Sequence, residues 1–385
     1  MSIYSNLDHF SFVDTPFYYY DIGLLQKTIK MAKEALGNGP YQIHYALKAN
    51  SNRRILNEVL KFGLGADCVS GNEVNRAIEL GFDPKNILFA GVGKTDKEIN
   101  LGIKHDIFGF NVESLEELKV LEQLSKTSGK KTRFALRINP NVDAGTHEYI
   151  TTGNRDNKFG ITLEELSLAI SLIKSLEHTE FIGIHFHIGS QIIDLSRFKE
   201  LADRCNEVQG FLLDHSFELP YINVGGGLGI DYNQPDKNSI ADFKGYFSCF
   251  KKNLVQLPNQ TLHFELGRSL VAQCGSLIAR VLYVKPAEKT SFMIIDAGMT
   301  ELIRPALYRS HHFIQNLSSQ EGSEVYDVVG PICETSDAFA RGLSLPKAKR
   351  GDLFAIRSAG AYGEAMASQY NLRKAAPCIF SDDIK

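Results

Sequence analysis

No apolar stretch of the 385-residue sequence is long enough to cross a bilayer, so no helical membrane span is expected. The opening residues, Met1 to Asp8, lack a basic region followed by an apolar run, which argues against a signal peptide and for a cytoplasmic protein. Cysteine is sparse and scattered. Cys68, Cys205, Cys249, Cys274, Cys333 and Cys378 include no CxxC pair. That spacing speaks against a disulfide framework or a zinc site and for reduced thiols, with no metal expected. Each reads first as a small buried hydrophobe. Charge of one sign is also missing. A net charge of -3 gives no reason to expect nucleic acid or a membrane surface as partner. Low-complexity tracts and repeats in the letters are absent as well. The remainder is ordinary for a globular protein, 43% apolar and 23% charged. The length is large for one core, so two domains are expected.

What the sequence does carry is a rhythm. Strand-like segments at 42–48, 65–70, 86–90, 107–111, 132–138, 180–187, 220–225 and 261–265 alternate with amphipathic helix-like ones. Acids crowd the first turn at Glu113-Ser114-Leu115-Glu116-Glu117, and Gly81 stands where a helix should stop. Eight strands alternating with helices predict an α/β fold, a (β/α)8 TIM barrel over 24–270. A doubly wound open sheet is the alternative, but it usually stops near five or six strands. The polar interval 139–162 reads as a functional or mobile loop. After Glu265 the rhythm changes to β-rich segments at 270–285, 290–297, 325–330, 351–358 and 375–380. These, with the strand-like Pro16-Phe17-Tyr18-Tyr19-Tyr20, predict a second, mainly antiparallel β domain from 1–23 and 271–385.

In such a barrel the active site lies at the C-terminal ends of the strands. The first end gives Lys48, followed by the cap-and-turn cluster Asn50-Ser51-Asn52. A lone lysine is usually a solvated charge. The second end gives Asp67, and the sixth gives His185-Phe186-His187-Ile188-Gly189-Ser190. Either histidine alone reads as a satisfied core residue, though His187 lies nearer the mouth. The seventh end gives Gly225-Gly226-Gly227-Leu228-Gly229. Glycine runs often only make a tight bend, but between a strand and a helix they offer backbone N–H groups to phosphate. The eighth gives Glu265-Leu266-Gly267-Arg268, where Glu265 could pair Arg268 or hold a protonated ring nitrogen. A lysine for an aldehyde, a phosphate cradle, a stacking ring and an acid for a pyridinium nitrogen together describe a pyridoxal phosphate site. The acid favours decarboxylation, which needs the full electron sink.

The chain resembles, over nearly its whole length, the barrel-fold pyridoxal phosphate decarboxylases of basic and diamino acids. The motifs that carry this are Tyr45-Ala46-Leu47-Lys48-Ala49-Asn50, Gly65 to Glu73, His185 to Gln191, Gly225 to Gly229, Glu265 to Arg268, Arg304-Pro305-Ala306-Leu307-Tyr308, Cys333 to Asp337 and Ala359 to Gly363. The resemblance implies that Lys48 holds the cofactor, His187 stacks on its ring and Glu265 faces its nitrogen. Asp67, Ser190, Gly225, Gly226, Gly227, Gly267, Arg268 and Tyr362 would surround the cofactor or the substrate beside it. It also implies a homodimer with shared sites, in which Cys333 and Glu334 come from the partner and Cys333 returns a proton after carbon dioxide leaves. One departure is Leu266, where the family usually has proline; Leu restores a backbone N–H and frees φ.

The substrate's far end separates the members of this family. Ornithine and lysine end in a lone ammonium. Diaminopimelate ends in an ammonium and a carboxylate. Arg304 and Tyr308, one turn apart if helical, suit the carboxylate, and Glu334 suits the ammonium. The expected reaction is therefore decarboxylation of meso-2,6-diaminopimelate to L-lysine. Ornithine, arginine or carboxynorspermidine are the alternative substrates. A class I aldolase would also place a reactive lysine in a barrel, but would need neither phosphate cradle nor pyridinium partner. A relative without catalysis should lack Lys48, Cys333 or Tyr362, and all three are present.

Overall fold

Runs of apolar residues bounded by Gly, Asn and Ser set the strand positions. The computed structural model describes Ile3 and residues 7–143, 158–288 and 290–384; most of the polar interval 139–162 lies outside the described residues. Strand β1 (Phe17–Tyr20) precedes β2 (Tyr41–Ala46), β3 (Gly65–Cys68), β4 (Ile87–Phe89), β5 (Gly109–Val112), β6 (Thr132–Arg137), β7 (Thr179–His185), β8 (Tyr221–Asn223) and β9 (Thr261–Leu266). Strands β2 to β9 form a closed parallel barrel in chain order, with β9 pairing back onto β2. Helices cover such strands on the outside and side chains fill the inside, so most of their residues are buried. The helices between them start and stop on local signals. The Ser70 side chain accepts from the Glu73 N–H, and Gly81 at φ 92 closes the same helix, Gly71–Leu80. Thr95 and Glu98 form a reciprocal capping box on Asp96–His105.

The register of the barrel places chemistry in rows. Asp67 pairs with Ala46, and His44 with Glu265. Arg137, His185 and Asn223 lie side by side on β6, β7 and β8. Those three polar residues therefore share one level of the barrel, near the C-terminal ends of their strands.

The remaining strands are β10 (Gly275–Lys285), β11 (Ser291–Ile295), β12 (Ile314–Asn316), β13 (Glu324–Val329), β14 (Ala338–Leu345), β15 (Leu353–Ile356) and β16 (Cys378–Phe380). They form a sheet in the order β12-β15-β10-β11-β13-β14, with β1 joined to β10 and β16. Most pairs are antiparallel; β11 with β13 and β1 with β16 are parallel. Phe10, Phe17, Tyr19, Ile278, Leu317 and Leu353 pack as one core here. By its contacts the chain divides into a barrel unit, Ile29–Gly229 with Asp242–Gly267, and a sheet unit, Met1–Thr28 with Ile230–Ala241 and Arg268–Lys385. Residues 230–241 thus group with the sheet unit, although they fall inside the interval that the strand–helix rhythm assigns to the barrel. Among the described residues no helix is long and apolar enough to cross a membrane.

Candidate active site

Lys48 does not lie on its strand, as the pattern predicts, but just past it. β2 ends at Ala46, and Lys48 sits in a short 3-10 turn, Leu47–Ala49. Two contacts pin the turn. The Tyr45 hydroxyl donates to the Asn50 carbonyl at 2.9 Å. Gly267 lies so close that an added Cβ would stand 3.0 Å from the Ala49 Cβ. Leu47 and Ala49 are buried, while the Lys48 side chain keeps 36% of its surface exposed. It can therefore meet a ligand from solvent. Its Nζ lies 4.0 Å from Oδ2 of Asp67, whose side chain is buried.

Glu265 is a buried carboxylate held on both oxygens. Its Oε1 accepts from Nδ2 of Asn223 at 2.8 Å and from Nδ2 of Asn111 at 3.3 Å. Its Oε2 lies 3.0 Å from Nε2 of His185. Burial works against its charge, but the electrostatic pull and hydrogen bond of His185, with His187 and Lys48, hold it well below the usual carboxylate range. Asp67 goes the other way. Burial and the negative charge of Glu265 raise it well above that range, against the opposing pull of Lys48. Two acids on one rim are thus shifted in opposite directions, a usual mark of a site built for proton chemistry.

His187 also lies beyond its strand, since β7 ends at His185. Strand alternation, which puts residues two apart on one face, therefore does not reach it. Nδ1 of His187 accepts from the Gly189 N–H at 3.1 Å, so a neutral ring carries its proton on Nε2. Burial, with the charges of Lys48 and Arg137, pushes its pKa well below that of a free imidazole. The ring is neutral at physiological pH. Ser190 follows in the same loop, half-buried.

The glycine run owes its composition first to packing. A Cβ on Gly226 would run into the carbonyl oxygen of Glu265, and one on Gly225 (φ 69) into that of Phe186. The N–H of Gly225 donates to Oδ1 of Asn223, and the N–H of Glu265 donates to the Gly225 carbonyl, each at 2.8 Å. The run is thereby bolted to the residues that hold Glu265.

Four buried polar residues around this group are missed or underrated in the letters: Asn111, Asn223, His185 and Arg137. All are polar side chains buried in short barrel strands. That is their signal, because a buried polar group needs a partner and a reason. Arg137 forms a buried pair with Glu113 at 2.6 Å, and Glu113 also accepts from the N–H groups of Gly91 and Gly160. Among the described residues of the barrel unit three buried side-chain atoms still lack a partner: Oδ1 of Asp67, Oδ1 of Asn111 and Nδ1 of His185. Such atoms cost roughly 1–3 kcal/mol each if left unmet. Together with an accessible lysine, a neutral imidazole and an ionised glutamate, they fit a polar planar cofactor of the pyridoxal kind.

The sheet unit gathers a second group. Arg304–Tyr308 is a short helix, so the two named residues share a face. The Tyr232 hydroxyl accepts from Nη1 of Arg268 at 2.8 Å and from Nη1 of Arg304 at 2.9 Å. Burial would raise that hydroxyl, but the two guanidinium charges lower it overall. The Arg268 guanidinium also lies over the Tyr362 ring at 4.8 Å, and Tyr362 is held at φ 57, an uncommon setting for a non-glycine residue. Nη1 of Arg304 also lies 2.8 Å from Nε2 of His312, whose Nδ1 is 2.9 Å from the Arg357 carbonyl. Burial, then the Arg304 charge, pushes His312 down to about 3, so it is neutral. Cys333 and Glu334 are exposed in a loop anchored by Asp337, which accepts from the N–H groups of Met299 and Ile332. Among the described residues the Cys333 N–H donates to Oδ1 of Asn371, and the Glu334 carboxylate bonds the side chains of Ser336 and Tyr370.

Comparison with known proteins agrees with this chemistry. The family of pyridoxal-dependent decarboxylases, through its pyridoxal binding domain, matches residues 22–272. A diaminopimelate decarboxylase of Bacteroides thetaiotaomicron is 51% identical over 379 residues, 98% of each chain. The crystal structure of diaminopimelate decarboxylase from Helicobacter pylori complexed with L-lysine matches with a TM-score of 0.92 at 39% identity, over 98% of this chain and 94% of that one. The arginine decarboxylase of Paramecium bursaria Chlorella virus, at 20% identity and a TM-score of 0.87, shares the fold. The chain belongs to the pyridoxal-dependent decarboxylases, in the diaminopimelate decarboxylase family.

Proposed function

We propose that the protein uses pyridoxal phosphate to decarboxylate meso-2,6-diaminopimelate to L-lysine and carbon dioxide, the last step of lysine biosynthesis. The observation that carries this reading is Glu265, kept ionised by His185 on the barrel rim that also bears Lys48. When bound, the cofactor supplies a sink for the electron pair left as carbon dioxide departs. Lys48 would hold the cofactor through its aldehyde carbon, beside Asp67. His187, being neutral, would neighbour a cationic ring without repulsion. Glu265 would hold the proton of the ring nitrogen. Ser190, the backbone of Gly225, Gly226 and Gly227, and Gly267, Arg268 and Tyr362 bind the phosphate or border the substrate. Arg304 and Tyr308 take the far carboxylate and Glu334 the far ammonium. Incubation with meso-diaminopimelate and pyridoxal phosphate should release carbon dioxide and L-lysine in equal amounts. Ornithine, arginine and lysine should be poor substrates; equal turnover of ornithine would refute the substrate assignment.

We also read the protein as a cytoplasmic homodimer whose sites are shared. The exposure of Cys333 and Glu334 supports this, since residues offered to a partner must project from their own chain. Cys333 then returns a proton from Sγ to the substrate carbon that has lost carbon dioxide. Mixing Lys48→Ala with Cys333→Ala protein should restore up to about a quarter of wild-type activity by forming one intact site per hybrid dimer, a purely combinatorial figure set by effective pairing. No recovery after subunit exchange would count against shared sites.

A further inference from the structure

A guanidinium has five N–H donors, and Arg304 does not spend them evenly. Both hydrogens of Nη1 are engaged, one by the Tyr232 hydroxyl at 2.9 Å and one by Nε2 of His312 at 2.8 Å. Nη2 makes a single long bond, 3.3 Å, to Oγ of Ser310. Nε is buried and has no partner among the described residues. No carboxylate pairs with Arg304 among those residues either. The donors left over, Nε–H and one Nη2–H, point from the same edge of a planar group, with the spacing of a carboxylate's two oxygens.

His312 can serve only as an acceptor here. Its Nδ1–H is committed to the Arg357 carbonyl, which leaves Nε2 with a lone pair. The ring is buried and neutral. Tyr232 is likewise buried, and its oxygen faces two cationic donors, so it too acts as acceptor. Its ring also lies under the Arg304 guanidinium, 5.1 Å from centroid to Cζ.

We infer that Tyr232 and His312 are positioning residues: by occupying Nη1 of Arg304 they turn its Nε–Nη2 edge toward substrate and so select compounds with a carboxylate on the end remote from the reacting carbon. This rests on the role proposed above for Arg304. A substrate with a lone ammonium there would leave the buried Nε–H unmet and face a cation, which is a penalty as well as a missing contact.

Two ligands separate the effect from general damage. L-Lysine keeps the carboxylate that this edge would grip, and 1,5-diaminopentane lacks it. In the holoenzyme, Tyr232→Phe should raise KM for meso-diaminopimelate and Ki for L-lysine by about tenfold or more, the usual scale for a lost charged hydrogen bond. The fall in kcat should be smaller, and Ki for 1,5-diaminopentane should stay within about twofold. His312→Leu should behave the same way, and His312→Gln, which keeps an acceptor, should recover part of the loss. This histidine pair decides the matter if Tyr232→Phe does not fold. Parallel changes for both ligands, or unchanged L-lysine binding, overturn the inference. Arg304→Ala tests the underlying role. If it weakens L-lysine and the Tyr232 and His312 variants do not, only the positioning role falls. If it leaves L-lysine binding intact, the carboxylate role falls with it.

Discussion

Lys48→Ala should abolish the visible absorption of the holoenzyme and lower turnover by on the order of 10⁴-fold or more, because a tethered reactant is worth effective molarities of about 10⁵ M and above. The side chain is placed for this. It projects from a turn fixed by Tyr45 and Gly267, keeps a third of its surface open and stands beside Asp67, whose pKa burial raises. Alanine removes the amine but none of the packing, since the buried residues of the turn are Leu47 and Ala49. Folding should therefore be close to unchanged, and phosphate-dependent binding of the cofactor should persist in weakened form. A variant that retained the visible band would show that another amine anchors the cofactor.

Arg304→Ala should cut kcat/KM for meso-diaminopimelate by on the order of 10⁴-fold, in line with sites whose buried polar groups lose their partner. Arg304 is nearly fully buried and is held from one side by Tyr232 and His312. On the proposed reading, its removal should leave the far carboxylate of the substrate without its fork, and it leaves Tyr232 with one cation in place of two. L-Lysine should gain little as a substrate, because alanine offers nothing to a lone ammonium. The comparison is made by steady-state kinetics on both compounds. Wild-type kinetics on meso-diaminopimelate would place the carboxylate elsewhere.

The barrel was legible because alternation between strand and helix is written in local periodicity, which survives whatever the tertiary contacts are. The last domain was less so. β14 carries Arg341 and Gly342 in mid-strand and shifts register twice against β13, so it does not read as a strand. β12 is three residues long. The helix Ile22–Leu36, which spans the two units, escaped the pattern that begins at β2. In the site, Lys48, Asp67, His187 and Glu265 could be found because each ends or follows a strand. Asn111 and Asn223 could not, since an asparagine in a short apolar strand shows its purpose only when Glu265 is seen to lie across the barrel. Tyr232 and His312 are harder still. They lie 36 residues before Arg268 and 8 after Arg304, and only the fold brings their polar atoms to those guanidinium groups.

Borohydride reduction of the protein loaded with pyridoxal phosphate, followed by proteolysis and mass spectrometry, locates the anchoring amine directly. The expected result is a single pyridoxyl adduct on the peptide containing Lys48, lost in Lys48→Ala. An adduct on Lys94 or another lysine, or none at all, would contradict the placement of the cofactor between the rim of β2 and Glu265.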